Sequence, residues 1–153
     1  MKITTLHEAR AIVRNNLDDG IQCPCCDQFC KRYRRKLNSQ MARWLIWLYR
    51  RASGSEWVTV RESPVRGGDY AKLALWGLVE QKSNDDETKR TSGVWRITKL
   101  GRDFVDGHRF IPSHVMLYNN TIHGWSRACT TIRHALGERF DYAELMGQRD
   151  INR

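Results

Sequence analysis

Apolar residues recur at helical spacing near the start of the chain. Leu6, Ala9, Ile12, Val13 and Leu17 share one face, behind a Thr5 and Glu8 pair in capping-box register. Asp18, Asp19 and Gly20 stop that helix. A second helix is expected over residues 40–51, capped by Asn38 or Ser39, with Met41, Trp44, Leu45 and Leu48 as its apolar side. After a loop at residues 52–56, Trp57, Val58, Thr59 and Val60 are strand formers. Residues 69–76 then read as a short helix that Gly77 ends in a left-handed cap. Residues 78–82 and 94–98 make two β-like runs around the polar segment SNDDETKRTSG. A further helical turn or two is expected over residues 99–106, closed by Gly107. Residues 110–118 suit a strand or an extended loop equally. Helical spacing returns at residues 131–136 and 141–146, with Gly137 between them.

This pattern predicts an α+β, mainly helical chain in three stretches. Residues 1–52 hold the N-terminal helices, a cysteine knuckle and a basic arm; residues 53–107 form a central unit; residues 108–153 extend it and pack on the same domain. Six tryptophans invite a stacking platform for single-stranded nucleic acid. Trp44, Trp47, Trp57, Trp76 and Trp95 nevertheless fall where core packing is expected, and only Trp125 stands in a segment without an assigned element.

Within residues 57–105, KLALWGLVEQK, a polar loop and GVWRITKLGRDFV follow one another. Gly101 lets a helix start close to a strand, and Phe104 and Val105 point inward. This stretch resembles winged-helix transcription regulators, many of which carry a helix ending in Gly-Leu-Val or Gly-Leu-Ile, a wing, and a strand running into Leu-Thr-x-x-Gly. The variant here is Ile97, Thr98, Lys99, Leu100 and Gly101. The resemblance implies a winged-helix core whose helix enters the major groove and whose wing touches the DNA backbone. It would place Arg66, Tyr70 and Lys72, with Asp69, on or beside the helix, and Lys82, Lys89, Arg90 and Arg96 on or beside the wing. The chain departs from that pattern between Val60 and Gly67, where too few residues remain for a second helix and its turn. Asp69 and the acidic wing residues Asp85, Asp86 and Glu87 oppose phosphate contact. CPCC…KRYRRKLNSQMARWL together with GGDYAKLALWGLVE is also similar to a family of small uncharacterised phage proteins with an N-terminal cysteine knuckle.

Charge sharpens the picture. Twenty-six Lys and Arg stand against 17 Asp and Glu, a formal net charge of +9, which favours polyanionic partners. The densest run is Lys31, Arg32, Arg34, Arg35 and Lys36, with Tyr33 interleaved. It directly follows Cys23, Cys25, Cys26 and Cys30. Two thiolates at Cys-x-x-Cys spacing, Cys23 and Cys26, can grip one tetrahedral zinc with Cys30 as third ligand. The fourth is left open between Cys25, Cys129 and a histidine such as His7 or His108, although adjacent ligands make Cys25 an awkward choice. Reduced thiols without a metal are the competing reading. A zinc-pinned knuckle would hold the basic arm as a phosphate-binding surface with Arg43, Arg50 and Arg51.

Four cysteines within eight residues suit a reducing compartment better than a disulfide framework, and no apolar run has signal-peptide or bilayer-spanning length. A cytoplasmic protein is expected, in the host cytoplasm if phage-encoded. No phosphate loop, zincin helix or nucleophilic triad is recognisable, so an enzyme is not expected. The functional expectation is a nucleic-acid-binding regulator, with DNA as partner and transcription regulation as its use. The alternative is a protein-interaction module that inhibits a host protein or nucleoprotein complex through the same basic surface.

Overall fold

A computed structural model describes residues 5–88 and 91–147. The elements begin with α1 (Leu6–Asn15), β1 (Ile21–Gln22), β2 (Phe29–Cys30), β3 (Tyr33–Lys36), α2 (Ser39–Arg51) and β4 (Val58–Thr59). Two 3-10 segments, Val60–Glu62 and Asp69–Trp76, precede β5 (Val79–Gln81), β6 (Val94–Ile97) and α3 (Lys99–Val105). The chain then forms β7 (Ile111–Pro112), β8 (His114–Tyr118), β9 (Thr121–Trp125), β10 (Cys129–Thr130), α4 (Ile132–Leu136) and α5 (Tyr142–Leu145). Helix accounts for 35% and strand for 22%, so the protein is mixed α/β and not mainly helical as expected. The cause is a set of short strands, distributed over four small sheets among the described residues, whose two to five residues are too few to produce a periodic signal.

Two units make up the chain. One combines the segment ending at Lys36 with His114–Ser126; the other combines Leu37–Ser113 with the segment from Arg127 onward. In the first unit, Thr5 and Glu8 form the expected reciprocal capping box at α1. Strands β1 and β2 make an antiparallel hairpin, and β3, β8 and β9 form an antiparallel sheet in that order. Among the described residues of this unit, only Ala9, Leu17, Val115 and Leu117 are buried apolar side chains, whereas Leu6, Ile12, Phe29, Tyr33, Ile122 and Trp125 are exposed. So little burial leaves the unit with a small hydrophobic contribution to its stability.

The second unit holds the main core. Asn38 caps α2 by accepting the backbone N–H of Met41 at 2.9 Å, and Met41, Trp44, Leu45 and Leu48 are buried as the apolar pattern requires. Strand β6 lies between β4 and β5. The residues expected to form a recognition helix instead make a 3-10 segment of eight residues, ended by Gly77 at φ 74°. Its Tyr70 ring stacks on Trp44, with centroids 4.7 Å apart, and meets Trp95 edge-on at 5.8 Å. Trp57 departs from the core expectation: it is exposed, and the Arg96 guanidinium covers its ring at 4.3 Å.

The junction of β5, β6 and α3 is held by backbone contact. The Leu78 carbonyl accepts the Thr98 N–H at 3.1 Å. The Thr98 hydroxyl donates to the Gly77 carbonyl at 2.6 Å and accepts the Gly101 N–H at 3.0 Å, which caps α3. A Cβ on Gly101 would lie 2.2 Å from the Leu78 carbonyl oxygen and 2.7 Å from Ile97 Cγ1. On α2, the Tyr49 hydroxyl donates to Asp106 at 2.5 Å, and this bond is the main cause of a phenol pKa pushed up to about 12. Gly101→Ala should therefore destabilise the protein by about 1–3 kcal/mol, because backbone must move to admit the methyl group. Gly68→Ala, where a Cβ meets nothing within 4 Å, should stay within about 0.5 kcal/mol of the parent. Denaturant midpoints compare the two; equal midpoints would refute the close-approach account.

Candidate functional site

The basic run is a strand rather than an arm. Tyr33, Arg34, Arg35 and Lys36 are all exposed on β3, at one edge of the β3-β8-β9 sheet. Cross-strand partners share a face of a sheet, so register sorts these side chains. Arg34 opposes Met116 and Lys36 opposes His114 on one face; Tyr33 opposes Leu117 and Arg35 opposes Val115 on the other. Trp125 and Ile122 of β9 also oppose Val115 and Leu117, which adds apolar surface to the Tyr33 face. The Arg35 guanidinium lies 5.9 Å from the Tyr33 ring centroid.

Among the described residues, Lys31, Arg34, Arg35 and Lys36 form no ion pair. Arg32 does, with Asp18 at 2.8 Å, while its backbone N–H donates to the Leu17 carbonyl at 2.8 Å. It ties the end of the cysteine hairpin to the chain that leaves α1.

Several of the other cationic candidates have local partners. The Arg43 guanidinium sits 5.0 Å from the Phe140 ring centroid, and Arg50 donates to the Leu145 carbonyl at 3.0 Å. Arg51 pairs with Glu62 at 3.3 Å. These three line one hollow of about 370 Å³ beside Trp47 and Pro64. Lys72 pairs with Asp69 at 3.2 Å, and Arg96 with Glu80 at 2.6 Å. Arg66 borders a cavity of about 120 Å³ with Gln40, Trp44 and Tyr70. Stacking on Trp44 occupies one face of Tyr70, so that face is closed to a base. Lys89 and Arg90 lie outside the described residues.

The cysteine hairpin turns through Asp27, at φ 63°. The Cys23 N–H donates to the Gln28 carbonyl at 2.7 Å, and the Asp27 N–H donates to the Cys23 carbonyl at 2.9 Å. The Cys23 sulfur accepts the backbone N–H groups of Cys25 and Cys26 and the Cys26 thiol, which hold its pKa below the ordinary thiol value. Loss of hydration is the largest effect on Cys25, followed by the nearby Cys23 sulfur, and both push its thiol up. Tyr118 is hydrogen-bonded to Cys30, the main cause of a raised phenol pKa.

Cys23, Cys25, Cys30, Tyr118 and His123 line one cavity of about 340 Å³, walled on the opposite side by the apolar stripe of α1 and by Arg10 and Arg14. All five cysteines are free thiols. Among the described residues, no group of three or more His, Cys, Asp or Glu side chains stands ready to hold a metal ion. His7 and His108 are exposed and do not line the cavity, and Cys129 belongs to the other unit. His123 was missed by sequence reasoning because a β-bulge between Met116 and Leu117 brings it beside Tyr118, and no spacing rule announces a bulge.

Comparison with known proteins returns no matching family model, no matching curated protein and no matching solved structure. Among the described residues, no helix is long and apolar enough to cross a membrane.

His114 reports on the field around β3. Burial is the largest cause of its lowered pKa, with Arg34 and Lys36 adding to it. A folded-state value below the unfolded value near 6.5 means that the unfolded chain takes the proton first, so this histidine costs stability as pH falls below that value. In Arg34→Gln/Lys36→Gln, the His114 NMR titration midpoint should rise part of the way to its ordinary value, and the acid-side loss of stability should shrink. An unchanged midpoint would remove the two cations from the His114 environment.

Proposed function

We propose that the protein binds nucleic acid, with DNA as the working partner, through the β3 edge of its small sheet. The observation that carries this reading is a fully exposed strand with three cations and a tyrosine, whose charges have no carboxylate partner among the described residues. Phosphates are spaced along a polyanion, and an extended strand presents its cations at a comparable regular rise. Arg34 and Lys36 on one face and Arg35 on the other straddle the strand, so a backbone running along the edge meets charge from both sides. Arg35 also has the planar donor fork suited to phosphate oxygens. Tyr33, with Ile122 and Trp125 on its face, offers ring surface to an unpaired base. The regulatory use of such binding, in transcription, belongs to the same proposal.

One observation favours a second reading, a protein-interaction module. Strand β3 is terminal in its sheet, and an acidic extended segment of a protein partner could pair with that edge while its carboxylates meet the cations. A pull-down after nuclease treatment separates the readings, since a retained, directly bound protein partner supports this one.

Electrophoretic mobility shift over a salt series tests the nucleic-acid reading with duplex and single-stranded DNA of mixed sequence. Arg34→Gln/Arg35→Gln/Lys36→Gln should weaken binding and flatten the dependence of log affinity on log salt by about 0.9 for each duplex phosphate that the variant no longer neutralises. Arg51→Gln and Arg96→Gln, whose parent side chains are already ion-paired, should leave that slope nearly unchanged. No complex with either DNA at low salt, or an identical slope in the triple variant, would sink the proposal.

A further inference from the structure

We propose that the hollow on α2 in the second unit binds a nucleoside 5′-phosphate, with Trp47 stacking on the base, Arg50 holding the phosphate and Arg43 reaching the base edge. This site is separate from β3 and does not depend on the nucleic-acid reading.

Helical spacing assembles it. Residues 43, 46, 47 and 50 stand at i, i+3, i+4 and i+7, so they share one stripe of α2, beside the buried stripe of Met41, Trp44, Leu45 and Leu48. Ile46 is buried and forms an apolar floor, while Trp47 is partly exposed. Pro64 and Val65 make the facing wall, and Leu145 of α5 stands beside Arg50. The Ser63 hydroxyl steadies that wall by accepting the Val65 N–H at 3.0 Å. The enclosed volume of about 370 Å³ falls within the roughly 300–1,000 Å³ of cavities that hold small molecules.

Arg43 and Arg50 meet no carboxylate among the described residues. Both are nonetheless held in place. The Arg43 guanidinium lies over the Phe140 ring at 5.0 Å. Arg50 donates to the Leu145 carbonyl at 3.0 Å, and a Cβ on Gly147 would come within 2.9 Å of its Nη2. One carbonyl uses one of the five N–H donors of a guanidinium, so the charge and most of the fork stay available. A cation already positioned also loses less freedom when a ligand arrives. Arg51 borders the hollow, but Glu62 neutralises it at 3.3 Å, and it has no part in the site.

The ligand must therefore carry both an anion and a ring. An anion alone would leave the indole and the apolar floor without a partner, and an apolar ring alone would cover two cations without compensating them. Arg43 and Arg50 are about 10 Å apart along the helix axis, with Trp47 between them. Helix side chains slope toward the N-terminus, so Arg50 leans toward Trp47. A phosphate on Arg50 then lays its base along the indole, where stacking is favourable for any base, and brings the base edge to Arg43. A guanidinium fork matches phosphate oxygens at one end and a paired acceptor edge, such as guanine O6 and N7, at the other.

NMR titration of the full chain with guanosine 5′-monophosphate tests the site through the indole N–H signals, that of Trp47 being assigned by its loss in Trp47→Phe. The expected result is a saturable shift at Trp47 with one nucleotide per chain, and binding of guanosine and of ribose 5-phosphate weaker by about tenfold or more. Arg50→Gln should remove the advantage of the nucleotide over guanosine, a loss of roughly 10- to 100-fold, and Arg50→Lys should recover part of it because the charge returns without the fork. That partial recovery guards against a variant that merely misfolds. Trp47→Leu should weaken nucleotide and guanosine alike. In an Arg34→Gln/Arg35→Gln/Lys36→Gln chain, a 5′-phosphorylated hexanucleotide compared with its 5′-hydroxyl form identifies the source: preference for the phosphorylated strand assigns a strand end, and equal binding assigns the free nucleotide. The proposal is overturned if the nucleotide gives no saturable shift, if ribose 5-phosphate binds as tightly as the nucleotide, or if Arg50→Gln leaves the affinity unchanged. Loss of nucleotide binding in the β3 triple variant would overturn it too, by moving the contact to β3, whereas a mobility shift that fails in the parent leaves this site intact.

Discussion

The second unit depends on the approach of Gly101 to the Leu78 carbonyl. Strand β5 begins directly after Gly77 and Leu78, β6 returns beside it, and α3 must start without leaving the sheet. Thr98 makes this possible by linking the Gly77 carbonyl and the Gly101 N–H through one hydroxyl, so the cap of the helix and the start of the strand are fixed by the same atom. Phe104 and Val105 are then carried into the core with Ile97 and Leu78, all with essentially no exposure. A side chain at residue 101 would separate those layers, which is why local geometry here governs packing over a whole unit.

The first unit is built on a different balance. Among the described residues it has four short strands besides β3, one helix, and little buried apolar surface, and its stability rests on directional bonds: the capping box of α1, the Arg32–Asp18 pair and the hairpin amides. Such bonds contribute about 0.5–1.5 kcal/mol each, and an exposed ion pair less than about 1 kcal/mol. The same economy leaves β3 open to solvent. Its charges serve recognition better than packing, because none of the three cations is held by a carboxylate among the described residues.

Much of the helical framework was legible in the sequence because caps are local. Thr5 with Glu8, Asn38 and Gly77 each announce a terminus within a few residues, and each has that role. The β3-β8-β9 sheet was not legible. YRRK has no apolar alternation, its partner strand lies some eighty positions later, and β9 contains a glycine and a bulge. The mainly helical expectation failed for that reason, and the basic run is a strand where an arm was expected. For the candidate site, spacing marked the cysteine cluster, of which Cys23, Cys25 and Cys30 line one cavity, but not His123, whose place beside Tyr118 depends on strand register. Tyr70, which the resemblance puts on or beside the helix that would enter the major groove, stacks one face of its ring on Trp44, a tertiary contact that no local pattern announces.

The pairing of Lys36 with His114 has a consequence for the order in which the chain acquires structure. The loop between those residues contains most of the second unit, and closing so long a flexible segment is entropically expensive. The Leu37 N–H, however, donates to the Ser113 carbonyl at 3.0 Å inside the second unit. Once that unit has folded, the two ends of the loop are already neighbours, and the sheet can zip from Lys36 and His114 outward. During synthesis the basic strand therefore emerges early but waits, unpaired and cationic, until nearly all of the chain that completes its sheet has been made.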